Sequence, residues 1–268
     1  MTHRDVAVVV PGGVGKTTTA ASFGAGLASR GFKTCLIDFD IGLRNLDIHL
    51  GMERRVVYDF VNCILGECRL DQAVIKDRRN ENLYLLAASQ TRDKTVLTEE
   101  GVQKVLDELT AQFDFVVCDS PAGIEMGAMH AMYFADSALI CTNPELSSVR
   151  DSDRMVGLIQ SKSKRSVEGR APVKQQLCVT RYQPEKVLKD NMISVDDIEE
   201  MLGLPLIGVI PESEDVLNCS NVGQPVIMSS ASDAGECYDD MADRFLGLEK
   251  EFRHIDVKPK SFFGRIFG

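Results

Sequence analysis

Continuous apolar runs alternate along this chain with segments in which apolar residues recur at every third or fourth position. The runs are rich in β-branched residues and end in polar ones, which is typical of parallel strands covered on both faces. We therefore predict one α/β domain, a mostly parallel, twisted sheet with helices on both faces. The predicted strands are 6–10, 33–40, 83–87, 113–119, 135–142, 176–180 and 206–210; the predicted helices are 20–27, 53–66, 95–112, 144–159, 194–202 and 231–246; residues 162–173 are predicted to form a surface loop.

A glycine-rich stretch with a lysine and three threonines lies between the first predicted strand and the first predicted helix. Glycines allow the backbone to approach a phosphate closely, and the helix N-terminus adds partial positive charge. We expect Lys16 to reach the phosphates and Thr17 to hold Mg²⁺, as in phosphate-loop NTPases. An ordinary glycine turn is the alternative. The predicted nucleotide contacts are Pro11, Gly12, Gly13, Val14, Gly15, Lys16, Thr17 and Thr18.

The match to the phosphate-loop pattern is incomplete where the loop begins. The pattern G-x-x-x-x-G-K-S/T requires a glycine at position 10, where this chain has Val10. The next residue, Pro11, has a fixed φ and no backbone N–H. The loop therefore loses a flexible entry and a potential hydrogen-bond donor.

Two predicted strands end in carboxylates. Asp38 and Asp40 close the second, and Asp119 closes the strand after the 95–112 helix. Ligands of parallel sheets collect at the carboxyl ends of the strands, so we expect these groups beside the phosphate loop. Asp119 matches the acidic strand end that holds Mg²⁺ in phosphate-loop ATPases, and Gly123 in the following turn could contact the γ-phosphate. The alternative for Asp38 and Asp40 is that they only cap a loop.

Later segments supply two more candidate surfaces. Arg181 and Pro211 lie in the polar loops after the last two predicted strands, at the sheet edge where a base could bind. The helix beginning at Pro144 carries charged residues on its outer face, which is either only solvated or a partner surface. Those charged residues are Arg150, Asp151, Asp153 and Arg154.

Composition narrows the class of protein. A net charge of −10 and a pI near 5.0 argue against nucleic-acid binding, which requires a basic face. The eight cysteines form no C-x-x-C pair, and Cys35, Cys118, Cys141 and Cys178 lie in strand-like runs where buried, reduced thiols are expected. No apolar run is long enough to span a bilayer. The strand that begins near residue 5 leaves no room for a signal peptide, so we expect a cytoplasmic protein.

The last eleven residues differ from the rest because they are basic and aromatic. On a helical wheel Phe262, Phe263, Ile266 and Phe267 share one face, with Arg265 opposite. We expect this tail to form an amphipathic helix on anionic lipid, with a tail packed on the protein surface as the alternative. One such anchor binds weakly, and two on a dimer act together. The expected organisation is a domain over residues 1–250 and a linker with a membrane-targeting helix over 251–268.

The chain resembles the MinD family of cell-division site-selection ATPases, within the deviant phosphate-loop group that includes ParA-type partition ATPases. The resemblance covers nearly the whole chain and rests on residues 12–18, 37–47, 53–59, 118–125, 142–145, 147–154 and the tail. It implies an ATP- and Mg²⁺-dependent homodimer that is peripheral on the cytoplasmic face of the inner membrane. There it would recruit the septum inhibitor MinC and be released by MinE-stimulated ATP hydrolysis.

Residue roles follow from the same resemblance. Lys16 serves catalysis and phosphate binding, Asp38 and Asp40 serve the nucleophilic water and the metal shell, and Thr17, Asp38 and Asp119 hold Mg²⁺. Arg181 and Pro211 match the loops that enclose adenine. The implied partner surface for MinE and MinC includes Arg44, Asp47, Arg150, Asp151 and Asp153.

The departure from the family lies at Val10-Pro11, where the family has Gly-Lys. The resemblance assigns that lysine to the partner subunit's phosphates, and its loss removes a cation that stabilises developing charge. The chain is then either a specialised MinD or an altered form of one. The alternative function is a non-hydrolysing, nucleotide-binding membrane scaffold. A ParA-like DNA-partition ATPase is a third hypothesis, which the net charge and the aromatic tail disfavour.

Overall fold

The computed structural model describes residues 5–10, 15–123, 126–230, 232–253 and 255, apart from the side chains of residues 10 and 94. Its strands form one eight-stranded sheet in the order β3-β4-β2-β5-β1-β6-β7-β8. Every neighbouring pair is parallel except β3 with β4, so the predicted mostly parallel sheet is confirmed. The strands are β1 Asp5–Val10, β2 Thr34–Asp38, β3 Ile75–Lys76, β4 Leu83–Leu86, β5 Phe115–Asp119, β6 Ser137–Thr142, β7 Lys174–Tyr182 and β8 Leu206–Pro211.

Helices cover both faces of the sheet, as the continuous apolar character of the strands predicts. On one face of the sheet, the side chains of the strands pack against α1 and α12. On the other face, they pack against α3, α5, α6, α7 and α10. The helices are α1 Lys16–Ser29, α2 Leu46–His49, α3 Phe60–Ile64, α4 Leu70–Ala73, α5 Glu99–Thr110, α6 Met126–Tyr133, α7 Leu146–Lys162, α8 Lys164–Val167, α9 Pro184–Leu188, α10 Val195–Leu202, α11 Glu214–Asn221 and α12 Asp233–Phe245, with short 3-10 turns at Glu53–Arg55, Lys94–Val96 and Val226–Met228.

Small residues let α1 pack closely between the sheet and α12. A Cβ on Gly24 would lie 2.7 Å from Cδ2 of Leu36 on β2, and a Cβ on Gly26 would lie 3.0 Å from Cβ of Ala242 on α12. Nearly the whole helix is buried. The helix that begins at the glycine-rich stretch is therefore fixed on two sides.

Strand register brings the predicted carboxylates together. β2 and β5 are neighbours, and Asp38 lies directly opposite Asp119 in their parallel pairing. β1 pairs with β5 on its other side, with Val9 opposite Asp119. Since parallel strands end at the same edge of the sheet, both carboxylates lie at the edge where α1 begins.

Several local predictions are wrong. The helix predicted over 53–66 is interrupted, because Val56 is extended and Asp59 caps a separate α3 through a capping box with Asn62. The loop predicted over 162–173 contains α8, which Ser163 caps. The sequence analysis also missed β3, α2, α4, α6, α9 and α11.

The chain folds back onto α12 after that helix ends. Nε of Arg253 lies 2.6 Å from Oδ2 of Asp240, and Arg244 donates hydrogen bonds to the carbonyls of Lys250 and Glu251. None of the helices within the described ranges is long and apolar enough to cross a membrane. The predicted membrane residues Phe262, Phe263, Arg265, Ile266 and Phe267 lie outside the described residues, and the domain boundary at 250/251 stays a prediction.

Candidate nucleotide site

The N-terminus of α1 provides the centre of the candidate site. Gly15 precedes the helix with φ +80, a conformation that glycine adopts without strain. Lys16 is buried, and Thr17 and Thr18 are half-buried. The exposed N–H groups of a helix start favour an anion, and Lys16 adds a full positive charge.

Asp38 is an acceptor for the backbone that follows β2. Its Oδ1 accepts from the N–H of Asp40 at 2.8 Å, and its Oδ2 accepts from the N–H groups of Asn45 and Leu46, both at 3.1 Å. These bonds fold the segment between β2 and α2 around one fully buried carboxylate. Asp38 therefore caps this loop, as the alternative reading of the sequence proposed, and it does so beside Asp119.

Burial raises the pKa of both carboxyl groups above the usual range for aspartate. The charge of Asp38 raises the pKa of Asp119 further, while the Thr17 hydroxyl and the Lys16 ammonium lower it. The backbone donors at Asp40 and Leu46 lower the pKa of Asp38, and the charges of Asp40 and Asp47 raise it. Two buried, repelling carboxylates favour a bound proton or a bound cation.

Asp119 fits a role as a cation ligand. Its Oδ1 is buried and has no hydrogen-bond partner within the described ranges. The Thr17 hydroxyl is near enough to the same carboxylate to lower its pKa. Carboxylate and hydroxyl oxygens beside a phosphate site are the ligand types that Mg²⁺ takes from proteins. Among the described residues there is no cluster of three or more His, Cys, Asp or Glu side chains that could hold a metal ion.

A cleft of about 380 Å³ opens beside the start of α1. Gly15 and Thr18 line one wall, and Arg181 and Pro211, at the ends of β7 and β8, line another. The structure thus brings together residues that the sequence analysis placed in separate loops. The other lining residues are His49, Thr180, Ile210, Glu212, Ser213, Val216, Leu217, Ser220 and Tyr238.

Two features of the cleft were not evident from the sequence. Arg181 has φ 56, a left-handed conformation that costs energy for a residue with a side chain and that concentrates at functional sites. Tyr238 of α12 reaches the cleft, and its hydroxyl lies 2.9 Å from Oγ1 of Thr19 on α1. The sequence pattern around Tyr238 indicated only an amphipathic helix. Nothing in that pattern distinguished Tyr238 from the residues of the helix that pack in the core.

The remaining predicted residues are distributed over the surface and the described turns. Asp40 is half-buried beside Asp38, and Gly123 lies in an exposed turn after β5. Arg150, Asp151 and Asp153 are exposed on α7, which fits a solvated face and a partner surface equally well, so the partner surface stays a prediction. Pro11, Gly12, Gly13 and Val14 lie outside the described residues.

The prediction that Asp47 belongs to the partner surface is wrong. Asp47 is fully buried, and its Oδ2 lies 2.6 Å from Nε of Arg44, whose side chain is 16% exposed. A buried carboxylate needs such a partner because transfer of a lone charge from water is costly. Asp47 is therefore an interior residue of α2, and its carboxylate is not available to a partner protein.

Comparisons with known proteins agree on one family. Residues 6–168 match the model of a family described as "AAA domain". The septum site-determining protein MinD of Escherichia coli K12 is 58% identical over 258 residues, covering 96% of each chain. The MinC:MinD cell division protein complex of Aquifex aeolicus matches with TM-score 0.83 and 38% identity, over 94% of this chain and 99% of that one. MinD of Pyrococcus horikoshii, complexed with Mg-ADP, matches with TM-score 0.77 and 26% identity, over 90% of this chain and 95% of that one.

Proposed function

This chain belongs to the MinD family of septum site-determining proteins, and we propose on that basis that it is an ATP-hydrolysing spatial regulator of division. It would bind ATP with Mg²⁺, dimerise, attach to the inner membrane through its tail and recruit MinC. MinE would stimulate hydrolysis and release it to the cytoplasm. We do not expect it to bind nucleic acid.

The buried pair Asp38 and Asp119 carries the proposal. The two carboxylates are opposite each other in the sheet, at the N-terminus of α1, and one oxygen of Asp119 has no hydrogen-bond partner in the described part of the chain. A protein that used this edge only for folding would gain nothing from a buried, unpaired oxygen. Lys16 and Thr17 beside Asp119 supply the charge and the hydroxyl that a Mg²⁺–phosphate group requires.

Each residue then has a defined task. Lys16 neutralises charge on the phosphates, and Thr17 and Asp119 hold Mg²⁺, which when bound offsets the negative charge that develops during phosphoryl transfer. Asp38 fixes the loop that carries Asp40, and the two would orient the attacking water and complete the metal shell. The adenine would occupy the cleft between Thr18 and the Arg181 and Pro211 loops.

The proposed binding of protein partners rests on a relative of this chain. The relative from Aquifex aeolicus is described in complex with MinC, and we propose MinC as a partner of this chain. Arg44 and the exposed α7 residues Arg150, Asp151 and Asp153 would contribute to the surface used by MinC and MinE. Phe262, Phe263, Arg265, Ile266 and Phe267 would enter an anionic lipid surface.

Val10-Pro11 supports a second candidate function. A chain without the glycine and lysine found there in the family could bind nucleotide through Lys16 and remain a membrane scaffold that does not hydrolyse it. The two candidates share the fold, the nucleotide and the membrane. They differ only in whether the bound ATP is hydrolysed.

The deciding experiment measures ATP turnover on anionic vesicles with and without MinE. It compares the natural chain, the double variant Val10→Gly, Pro11→Lys, and Lys16→Ala as the control that removes the phosphate cation. MinE-stimulated turnover by the natural chain supports the enzyme, and turnover by the double variant alone supports the scaffold. Nucleotide binding by Lys16→Ala that equals the binding by the natural chain would refute both.

A truncated chain tests the membrane step separately. Removal of residues 258–268 should abolish sedimentation with anionic vesicles in the presence of Mg-ATP, because the aromatic face and its cations are lost. The truncated protein should keep the nucleotide affinity of the full chain. Undiminished sedimentation would assign membrane attachment to another surface.

A further inference from the structure

Cys63 and Cys68 bring two thiols into contact at the end of α3. Their Sγ atoms are 3.6 Å apart. Cys63 is buried on α3, while Cys68 is half-buried in the turn before α4. Neither residue contributes to the nucleotide site, and the spacing of four intervening residues is not the C-x-x-C spacing of redox motifs.

The backbone of the turn holds the two cysteines together. The N–H of Glu67 donates to the carbonyl of Asn62 at 2.9 Å, and the N–H of Gly66 donates to the carbonyl of Cys63 at 3.1 Å. With Gly66 at φ +71, these bonds form a Schellman motif, which closes the helix and turns the chain back. Nδ2 of Asn62 also donates to Oε2 of Glu67 at 2.6 Å, and Arg92 pairs with Glu67 at 2.9 Å. The contact between the sulfurs therefore follows from an ordered turn.

A small oxidant can reach this pair. A cavity of about 360 Å³ opens on both cysteines, lined also by Arg69, Lys104 and Glu108. Cys141 and Cys178 form another close pair of thiols, and both are fully buried in the core of the sheet. The two pairs differ in how easily an oxidant can reach them. Because exposed thiols are oxidised more readily than buried ones, Cys63 and Cys68 are the pair expected to react.

We propose that Cys63 and Cys68 are a redox modification site at which a peroxide forms an intramolecular disulfide. The Cys68 sulfur attacks one peroxide oxygen; the O–O bond breaks, leaving a sulfenic acid on Cys68 and one water. The Cys63 sulfur then attacks the Cys68 sulfur; the S–S bond forms, the S–O bond breaks, and the hydroxyl leaves as water with the Cys63 proton. Two thiols lose two electrons and two protons, and hydrogen peroxide is reduced to two waters. A dithiol reductant reverses the change.

The surroundings make both thiols slow to react. Burial raises the pKa of the Cys63 thiol and that of the Cys68 thiol, and nearby carboxylates raise both further. Since the thiolate is the nucleophile, the reaction is slow at neutral pH and accelerates as pH rises. The charged groups that face the pair or line its cavity are Asp59, Glu67, Asp71, Glu108, Arg69 and Lys104.

Peptide mapping tests the proposal directly. Trypsin cleaves after Arg55 and Arg69, so one peptide, residues 56–69, contains both cysteines and no others. The folded protein is treated with hydrogen peroxide, and the remaining thiols are alkylated in denaturant before digestion. We expect this peptide to escape alkylation at both cysteines, to lack the mass of two hydrogens, and to regain both alkylation sites after dithiothreitol.

Two variants sharpen the result. Cys68→Ser should remove the disulfide peptide, and Cys219→Ala, which removes a cysteine of α11, should leave it unchanged. Equal Tm values for Cys68→Ser and the natural chain establish that the fold is kept. The proposal is overturned if peroxide consumes other thiols while peptide 56–69 remains alkylated at both cysteines, or if Cys63 is oxidised in Cys68→Ser to the same extent as in the natural chain.

Discussion

Replacing Asp119 with asparagine should stabilise the protein when nucleotide and divalent cations are absent. Asparagine has nearly the same size and can keep the contact with the Thr17 hydroxyl, but it carries no charge. In the natural chain burial and the charge of Asp38 raise the pKa of Asp119. The substitution removes a charge that the folded protein accommodates poorly.

The sign and the magnitude follow from linkage. An aspartate in the unfolded chain titrates near pH ~4, and a raised native pKa means that the folded state binds more protons above that pH. The stability of the natural chain should therefore fall as pH rises from ~4 through the neutral range. Each tenfold increase in the proton affinity of the native carboxyl corresponds to ~1.4 kcal/mol, so a hundredfold increase corresponds to ~3 kcal/mol. For a chain of this size that difference raises Tm by roughly 6–12 °C.

The assay is thermal unfolding in EDTA at pH ~5 and pH ~8. Asp119→Asn should exceed the natural chain in Tm, with the larger gap at the higher pH. Asp153→Asn, an exposed carboxylate of α7, should show no gap of this kind. Addition of Mg-ATP should stabilise the natural chain and have a much smaller effect on Asp119→Asn. A variant less stable than the natural chain at pH ~8, or a gap that does not change with pH, would refute the reasoning.

Three further substitutions have defined outcomes in thermal unfolding. Tyr238→Phe removes a buried hydrogen bond to α1 and should cost about 1 kcal/mol, seen as a Tm lower by ~2–4 °C. Arg44→Ala leaves the buried carboxylate of Asp47 unpaired and should cost ~3–5 kcal/mol, of which a second change, Asp47→Asn, should restore a large part. Gly24→Val pushes α1 away from β2 and should cost ~1–3 kcal/mol, whereas the same change at exposed Gly157, beside which a Cβ would meet nothing, should cost much less.

The sheet could be predicted from sequence because its strands are continuous apolar runs. The runs before Val10, Asp38 and Asp119 carry the signal that a strand buried on both faces requires, and parallel pairing then places their ends at one edge. The two-residue β3 carries too short a pattern to be detected. α6 lacks a polar face for periodicity to reveal. α11 had a usable signal, since Ser213 followed by two acidic residues is a typical helix start.

The candidate site was predictable only where a motif or a strand end carried it. Gly15, Lys16 and Thr17 follow from the loop pattern, and Asp38 and Asp119 follow from the strand ends. The burial of Asp47 was not predictable, because a charged residue between Leu46 and Ile48 gives no sign that an arginine three residues earlier will pair with it. Tyr238 was equally hidden, since its place in the cleft depends on how α12 packs against α1.

The close packing of α1 has a consequence for how this protein can respond to a ligand. Gly24 and Gly26 bring the helix so close to β2 and α12 that a side chain at either position would overlap its neighbours, and close packing of this kind resists displacement. The helix is a fixed reference within the molecule, and a phosphate at its N-terminus meets a position that is already set. In the proposed cycle, a movement that reports the bound nucleotide to a second subunit would therefore arise in the surrounding loops, such as those that carry Asp40 and the left-handed Arg181.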